Sequence, residues 1–242
     1  MLPRPHLRVT TTDAEWNPKY IDIITAFYIL CLVSTWAIGG KLFSIGQFVI
    51  SAGNLVYPMT CILGYVLTEI YGFNRTRRLI WTGFGCGLIF LALMQAAVHL
   101  PPAPGWKLQG AFAAVNQDAF ATLNGQVART VVGSFTAYVF CQFTNSFIMS
   151  KMKVWSNGKN FPLRAFVSPI TAQLVDSIVF FSIAFIGTAP ADIIVSKALI
   201  AWVFKSCYEI VFVPFATIFV SRLKSIEGIE HFDRHNLTLL AF

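Results

Sequence analysis

The chain has 242 residues, of which 56% are hydrophobic and only 12% charged, and it carries a net charge of +7. A soluble domain has about 25% charged residues, so a water-coated globule of this size is excluded and lipid is the solvent that fits. The basic excess is a topology signal rather than a nucleic-acid surface, because the cations cluster between apolar runs.

Met1 to Lys19 is polar and lacks an apolar core. The expectation is that no signal peptide is cleaved and that the first span is itself the insertion signal. Apolar runs predict six transmembrane helices at about 20–40, 50–71, 78–99, 129–150, 164–188 and 197–221, each near the roughly 20 residues a crossing needs. The fold class expected is an all-α integral membrane protein, a six-transmembrane-helix bundle, with residues 1–242 as one membrane domain. Runs of this length without ten-residue alternation point to helices, not barrel strands.

Orientation follows from Lys and Arg. Arg4, Arg8 and Lys19 precede the first span, and Arg75, Arg77 and Arg78 follow the second. Lys151, Lys153, Lys159 and Arg164 follow the fourth, and Arg222, Lys224 and Arg234 follow the sixth. The opposite side holds only Lys41, Lys107, Arg129 and Lys197. The positive-inside bias places both termini in the cytoplasm, which an even number of spans also requires. The one long external connection, about 100–128, opens with Pro101-Pro102-Ala103-Pro104-Gly105, which breaks any helix. Its continuation from Ala111 to Leu123 reads as a short interfacial helix, a lid or a plain connector.

Polar residues inside the spans are costly, about 2.5–3.5 kcal/mol for an Asp or Lys at a helix centre, and such residues mark ligand or ion paths. The sixth span holds Lys205 and Glu209, spaced i,i+4 on one face. The fifth holds Gln173, Asp176 and Ser177, and the fourth holds Gln142 and Asn145. A rise of about 1.5 Å per residue puts Glu209 and Asp176 both about 18 Å from the outer face, with Asn145 slightly deeper. Interhelical staples are the plainer account of such groups. Two acids, a base and three amides at one depth exceed what staples need and predict a polar ligand pocket suited to a purine-like base. Glu69, near the inner end of the second span, either pairs with Arg75, Arg77 and Arg78 or acts as an inner gate. Cys31, Cys61, Cys86, Cys141 and Cys207 lie in apolar runs without metal-ligand spacing and read as small packing residues.

No phosphate-binding Gly-x-x-x-x-Gly-Lys loop, His-Glu-x-x-His or Gly-x-Ser-x-Gly motif is present. This argues against an enzyme and against a bound cofactor or metal. Asn74-Arg75-Thr76 and Asn236-Leu237-Thr238 match the glycosylation pattern but fall on the predicted cytoplasmic side.

Four stretches together resemble the queuosine precursor transporters, also called the vitamin uptake transporter family. They are Tyr57-Pro58 with Leu67-Thr68-Glu69-Ile70-Tyr71-Gly72 and Arg77-Arg78; Arg129 with Gln142-Phe143-Thr144-Asn145-Ser146 and Lys151-Met152-Lys153; Gln173-Leu174-Val175-Asp176-Ser177 with Phe180-Phe181; and Lys205 with Tyr208-Glu209, Pro214 and Glu227-Gly228. The resemblance implies a stand-alone six-helix importer of deazaguanine bases or related queuosine precursors across a cytoplasmic membrane. It also implies that Arg129, Asn145, Gln173, Asp176, Lys205 and Glu209 carry the site. Two positions depart from the family pattern. Tyr65 stands where an aspartate is usual, and Trp36 where an asparagine is. If both line the pocket, either the substrate differs or the base is held by stacking in place of hydrogen bonds, and the lost acid removes a candidate proton-coupling group.

The partners expected are a small polar heterocycle and the bilayer, with a homodimer left open and no nucleic acid. The leading alternative is a substrate-binding membrane subunit of an energy-coupled vitamin transporter. An intramembrane enzyme and a purely structural assembly protein are the remaining readings. Proton coupling and downhill flux are both open at this point.

Overall fold

A computed structural model describes residues 8–10, 18–39, 41–45, 48–101, 117–124, 128–187 and 190–231. Its elements in chain order are β1 (Arg8–Thr10), α1 (Ile21–Ile38), β2 (Leu42–Ile45), β3 (Phe48–Ser51), α2 (Gly53–Tyr71), α3 (Phe73–His99), α4 (Gln117–Asn124), α5 (Ala128–Trp155), α6 (Phe161–Phe185), α7 (Ala191–Glu227) and β4 (Ile229–His231). The fold is helical, with two small strand pairings: β2 and β3 form an antiparallel hairpin, and β1 pairs in parallel with β4.

Four helices are long and apolar enough to cross a membrane: α1, α3, α6 and α7. The other two long helices owe their lower hydropathy to their position. α2 touches α1, α3, α5, α6 and α7, and its buried residues cover all sides, from Tyr57 and Pro58 through Glu69 to Tyr71. A helix enclosed by protein needs no lipid-facing stripe, so it tolerates Thr, Tyr and Glu where a peripheral helix carries Leu and Phe. The outer helices show the complement. Ile23, Phe27 and Leu30 of α1 and Leu88, Ile89 and Leu93 of α3 are exposed, the surface lipid would cover.

The helix ends alternate between two ends of the bundle. Glu227, closing α7, accepts the backbone N–H groups of Lys19 and Tyr20, which lead into α1, and the hydroxyl of Tyr71, the last residue of α2. Glu69 of α2 meets Lys153 near the end of α5 and Arg164 near the start of α6. α2 and α3 meet at Gly72, whose φ of 86° is open to glycine at little steric cost. The start of α1, the ends of α2, α5 and α7, and the starts of α3 and α6 therefore share one end, beside the β1–β4 pair.

Several helices outrun the intervals read from the sequence. α3 begins at Phe73, α5 runs to Trp155, and α7 spans 37 residues, about 55 Å at 1.5 Å per residue. That length exceeds the roughly 30 Å of hydrocarbon a crossing needs, and the last two turns of α7 carry Arg222, Lys224 and Glu227. In the long connection between α3 and α5, α4 is a short helix pinned to α3: Gln117 donates to the Val98 carbonyl and Gln95 to that of Asn124. Residues 102–116 lie outside the described residues.

Candidate functional site

Four side chains of α2 recur at intervals of four: Tyr57, Cys61, Tyr65 and Glu69. That spacing puts them on one helix face, and the face points at α5, α6 and α7. It organises two polar layers, centred on Cys61 and Glu69, about 12 Å apart along the helix.

In the first layer, Lys205 Nζ lies 2.5 Å from Asp176 Oδ2. The other oxygen, Oδ1, accepts the Tyr57 hydroxyl at 2.9 Å, and the ammonium sits 4.9 Å from the centre of the Tyr57 ring. Gln173 donates to Glu209 Oε1 at 2.7 Å and to Cys61 Sγ at 3.2 Å. Gln142 donates to the Thr60 hydroxyl at 3.2 Å. Asn145 donates to the Cys61 carbonyl at 2.9 Å and accepts the Ser168 hydroxyl at 2.6 Å. Gln142 also needs room made for it: a Cβ at Gly64 would lie 2.8 Å from its Oε1. Asp176 is 5% exposed, Lys205 7%, and the amides and Glu209 1% or less. Three sequence-distant segments of α5, α6 and α7 thus converge on one face of α2, away from every helix end.

The second layer gathers three cations on one carboxylate oxygen. Glu69 Oε1 lies 2.6 Å from Lys224 Nζ, 2.8 Å from Arg164 and 3.6 Å from Lys153 Nζ. Lys153 also donates to the Glu69 carbonyl at 2.5 Å. Arg164 reaches the Ser156 hydroxyl and the Lys159 carbonyl across the α5–α6 turn. The expected pairing of Glu69 with Arg75, Arg77 and Arg78 is replaced by these partners. Those arginines open α3, whereas the Glu69 face of α2 turns toward α5, α6 and α7. Lys153, Arg164 and Lys224, expected in loops and the tail, are buried on helices.

Tyr65 lies between the layers, fully buried, with its ring tilted against Phe161 at 6.4 Å. Among the described residues its hydroxyl has no hydrogen-bond partner, and the same holds for Glu209 Oε2, Gln173 Oε1, Gln142 Oε1 and the hydroxyls of Ser146, Ser177 and Ser206. Buried polar atoms are almost always satisfied by protein or by ordered water, so these oxygens mark positions that a bound water or a polar ligand would complete.

Of the residues singled out in the sequence, Gln142, Asn145, Gln173, Asp176, Lys205 and Glu209 come together in the first layer, and Glu69 forms the second. Trp36 stacks on Phe135 at 4.6 Å and meets Tyr138 edge-on at 6.1 Å, so its ring contacts lie in the seam of α1, α3 and α5. The side chain of Arg129 lies outside the described residues. Sequence reasoning missed Cys61, Thr60 and Ser168, and it took Tyr57 only as part of a motif. The i,i+4 recurrence of Tyr57, Cys61, Tyr65 and Glu69 was the available signal. Cys61 and Cys141 also stand 3.6 Å apart, sulfur to sulfur. Among the described residues, no group of three or more His, Cys, Asp or Glu is placed to hold a metal ion.

The family described as "putative vitamin uptake transporter" matches residues 51–219, an interval that contains both layers. A "probable queuosine precursor transporter" from Bacillus subtilis (strain 168) is 27% identical over 165 residues, which cover 68% of this chain and 69% of that protein. No solved structure matches the chain.

Proposed function

The chain belongs to the vitamin uptake transporter family, and from that premise we propose that it imports a queuosine precursor, a deazaguanine-type base or a related small polar heterocycle. The proposed architecture is one membrane domain in which α1, α2, α3, α5, α6 and α7 all cross the bilayer. The alternating helix ends support this, since α2 and α5 run between the same two ends as their apolar neighbours. The positive-inside bias supports cytoplasmic termini and a cytoplasmic (inner) membrane. Each proposed contact lies in one chain, so a homodimer would add lipid-facing contacts rather than ligand-binding ones.

The observation that carries the reading is the buried first layer. Asp176, Lys205 and Glu209 stand beside Gln142, Asn145 and Gln173 in the middle of helices that lipid surrounds. Groups of this cost persist where they do work on a substrate or ion. Binding occurs there, between α2, α5, α6 and α7, with exposure alternating between the two faces. Tyr65 and Arg129 are further candidate contacts, Glu69 is the candidate inner gate, and Trp36 bears on the site through its seam with α5. The chemistry is transport, with no covalent step.

A thermal-shift screen of the purified protein against deazaguanines, purines and water-soluble vitamins tests the reading. A ligand at 100 times its Kd stabilises the folded state by about 2.7 kcal/mol. A deazaguanine is expected to raise the melting temperature, and no shift from any of them would count decisively against the substrate class. Uptake by proteoliposomes holding only this chain separates a stand-alone importer from a subunit that binds ligand but needs an energising partner. Lys205→Met is expected to abolish uptake with membrane insertion retained, and undiminished uptake would refute the site.

A further inference from the structure

α1 and α3 leave a groove between them at the end where both begin, with a volume of about 430 Å³. Ile21, Asp22 and Thr25 line one wall, and Arg75, Arg78 and Leu79 line the other. Positions 21 and 25, and 75 and 79, are spaced i,i+4, so each wall is one helix face. Asp22 and Arg78 are exposed, Ile21, Thr25 and Arg75 are half-buried, and Leu79 is buried. Charge therefore lies at the mouth and apolar surface lies deeper.

Both walls belong to helices long and apolar enough to cross a membrane. Beyond the groove, Ile23 and Phe27 of α1 and Leu88 and Ile89 of α3 are exposed apolar side chains. With α1 and α3 across the bilayer, the groove opens at headgroup level and leads onto the lipid-covered surface. Two guanidinium groups outnumber the one carboxylate among the described lining residues, so the groove suits a single negative charge. Guanidinium groups also match phosphate oxygens in pairs. A free anion would use the arginines and leave Ile21 and Leu79 uncovered, whereas a lipid covers both.

We propose that this groove binds an anionic glycerophospholipid of the phosphatidylglycerol kind. Its phosphate sits on Arg75 and Arg78, its headgroup hydroxyls donate to Asp22, and its acyl chains pass Ile21 and Leu79 to the outer faces of α1 and α3. Basic pockets between spanning helices hold lipid headgroups by the same chemistry. A choline headgroup has no O–H or N–H to give Asp22 and cancels the charge of its own phosphate. The bound lipid joins α1 to α3 and stabilises the folded state by mass action. The inference needs only that α1 and α3 cross a bilayer, and it is independent of what the protein transports.

The test follows the melting temperature of the purified full-length protein in an uncharged detergent as phosphatidylglycerol, phosphatidylcholine or inorganic phosphate is added. Phosphatidylglycerol is expected to raise it saturably, and the other two to leave it unchanged at the same concentration. Arg78→Gln is expected to weaken the apparent affinity about tenfold, the size of one charge-assisted hydrogen bond. Arg222→Gln removes an exposed cation of α7 outside the groove and is expected to change nothing. Thr82 also lines the groove, and Thr82→Trp, which fills it without altering charge, is expected to abolish the response. Equal stabilisation by the two lipids overturns the headgroup assignment, and a response to phosphate alone overturns the lipid in favour of a plain anion. Equal losses in Arg78→Gln and Arg222→Gln reduce the effect to surface charge and overturn the site. If Arg78→Gln fails to fold, Thr82→Trp decides, since an undiminished response there overturns the groove.

Discussion

Asp176 and Glu209 lie in the same layer but are held differently, one by an ammonium and a phenol, the other by an amide. Removing one partner of a buried ion pair strands the other, at a cost of about 3–5 kcal/mol, whereas replacing both is far milder. Lys205→Met is therefore expected to lower the melting temperature sharply, and adding Asp176→Asn to recover most of that loss. Thermal unfolding of the two single variants and the double variant measures it, and additive losses would show that the pair is not coupled. Lys205, Glu209, Asp176, Gln173 and Asn145 were legible in the sequence because a charge or amide inside an apolar run has no cheap explanation. Cys61 and Tyr57 were not, since both residue types are at home in an apolar core. Lys153, Arg164 and Lys224 were hidden for the opposite reason. Cations flanking a span satisfy the topology rule, and nothing in their spacing reveals that three of them bend back onto one carboxylate.

At the scale of elements, each helix that contributes to the site from α2, α6 and α7 contains an interior proline: Pro58, Pro169 and Pro214. Each removes a backbone donor and weakens the helix there. Pro58 adjoins Tyr57 and Pro169 adjoins Ser168, so two of the three weak points fall beside the polar contacts. The packing of α2 on α5 gives a direct check. Cys61 and Cys141 are free thiols 3.6 Å apart, and a thiol oxidant such as diamide is expected to join them. Peptide mass spectrometry should find the Cys61–Cys141 disulfide in wild type and lose it in Cys61→Ser. Failure to cross-link under forcing oxidation would contradict this pairing of the helices. Helix positions were largely readable from apolar runs, but the far end of α7 was not. The apolar run stops near Ser221 while the helix continues past it as a polar rod.

For the whole molecule, the β1–β4 pair and the bonds to Glu227 bring both terminal segments to the same end as the Glu69 layer. Reporters fused before Met1 and after Phe242 are each expected to be active in the cytoplasm. Activity on opposite faces would rule out this arrangement. The Glu227 contacts also set an order of events in synthesis. α1 is made before the other helices described, yet the backbone groups leading into it find their carboxylate only when α7 has emerged. The bundle is therefore fastened from its tail, and a nascent chain arrested before residue 227 would be inserted with its first helix still unclasped. Such a chain would offer a quality-control protease an entry point that the finished protein withholds.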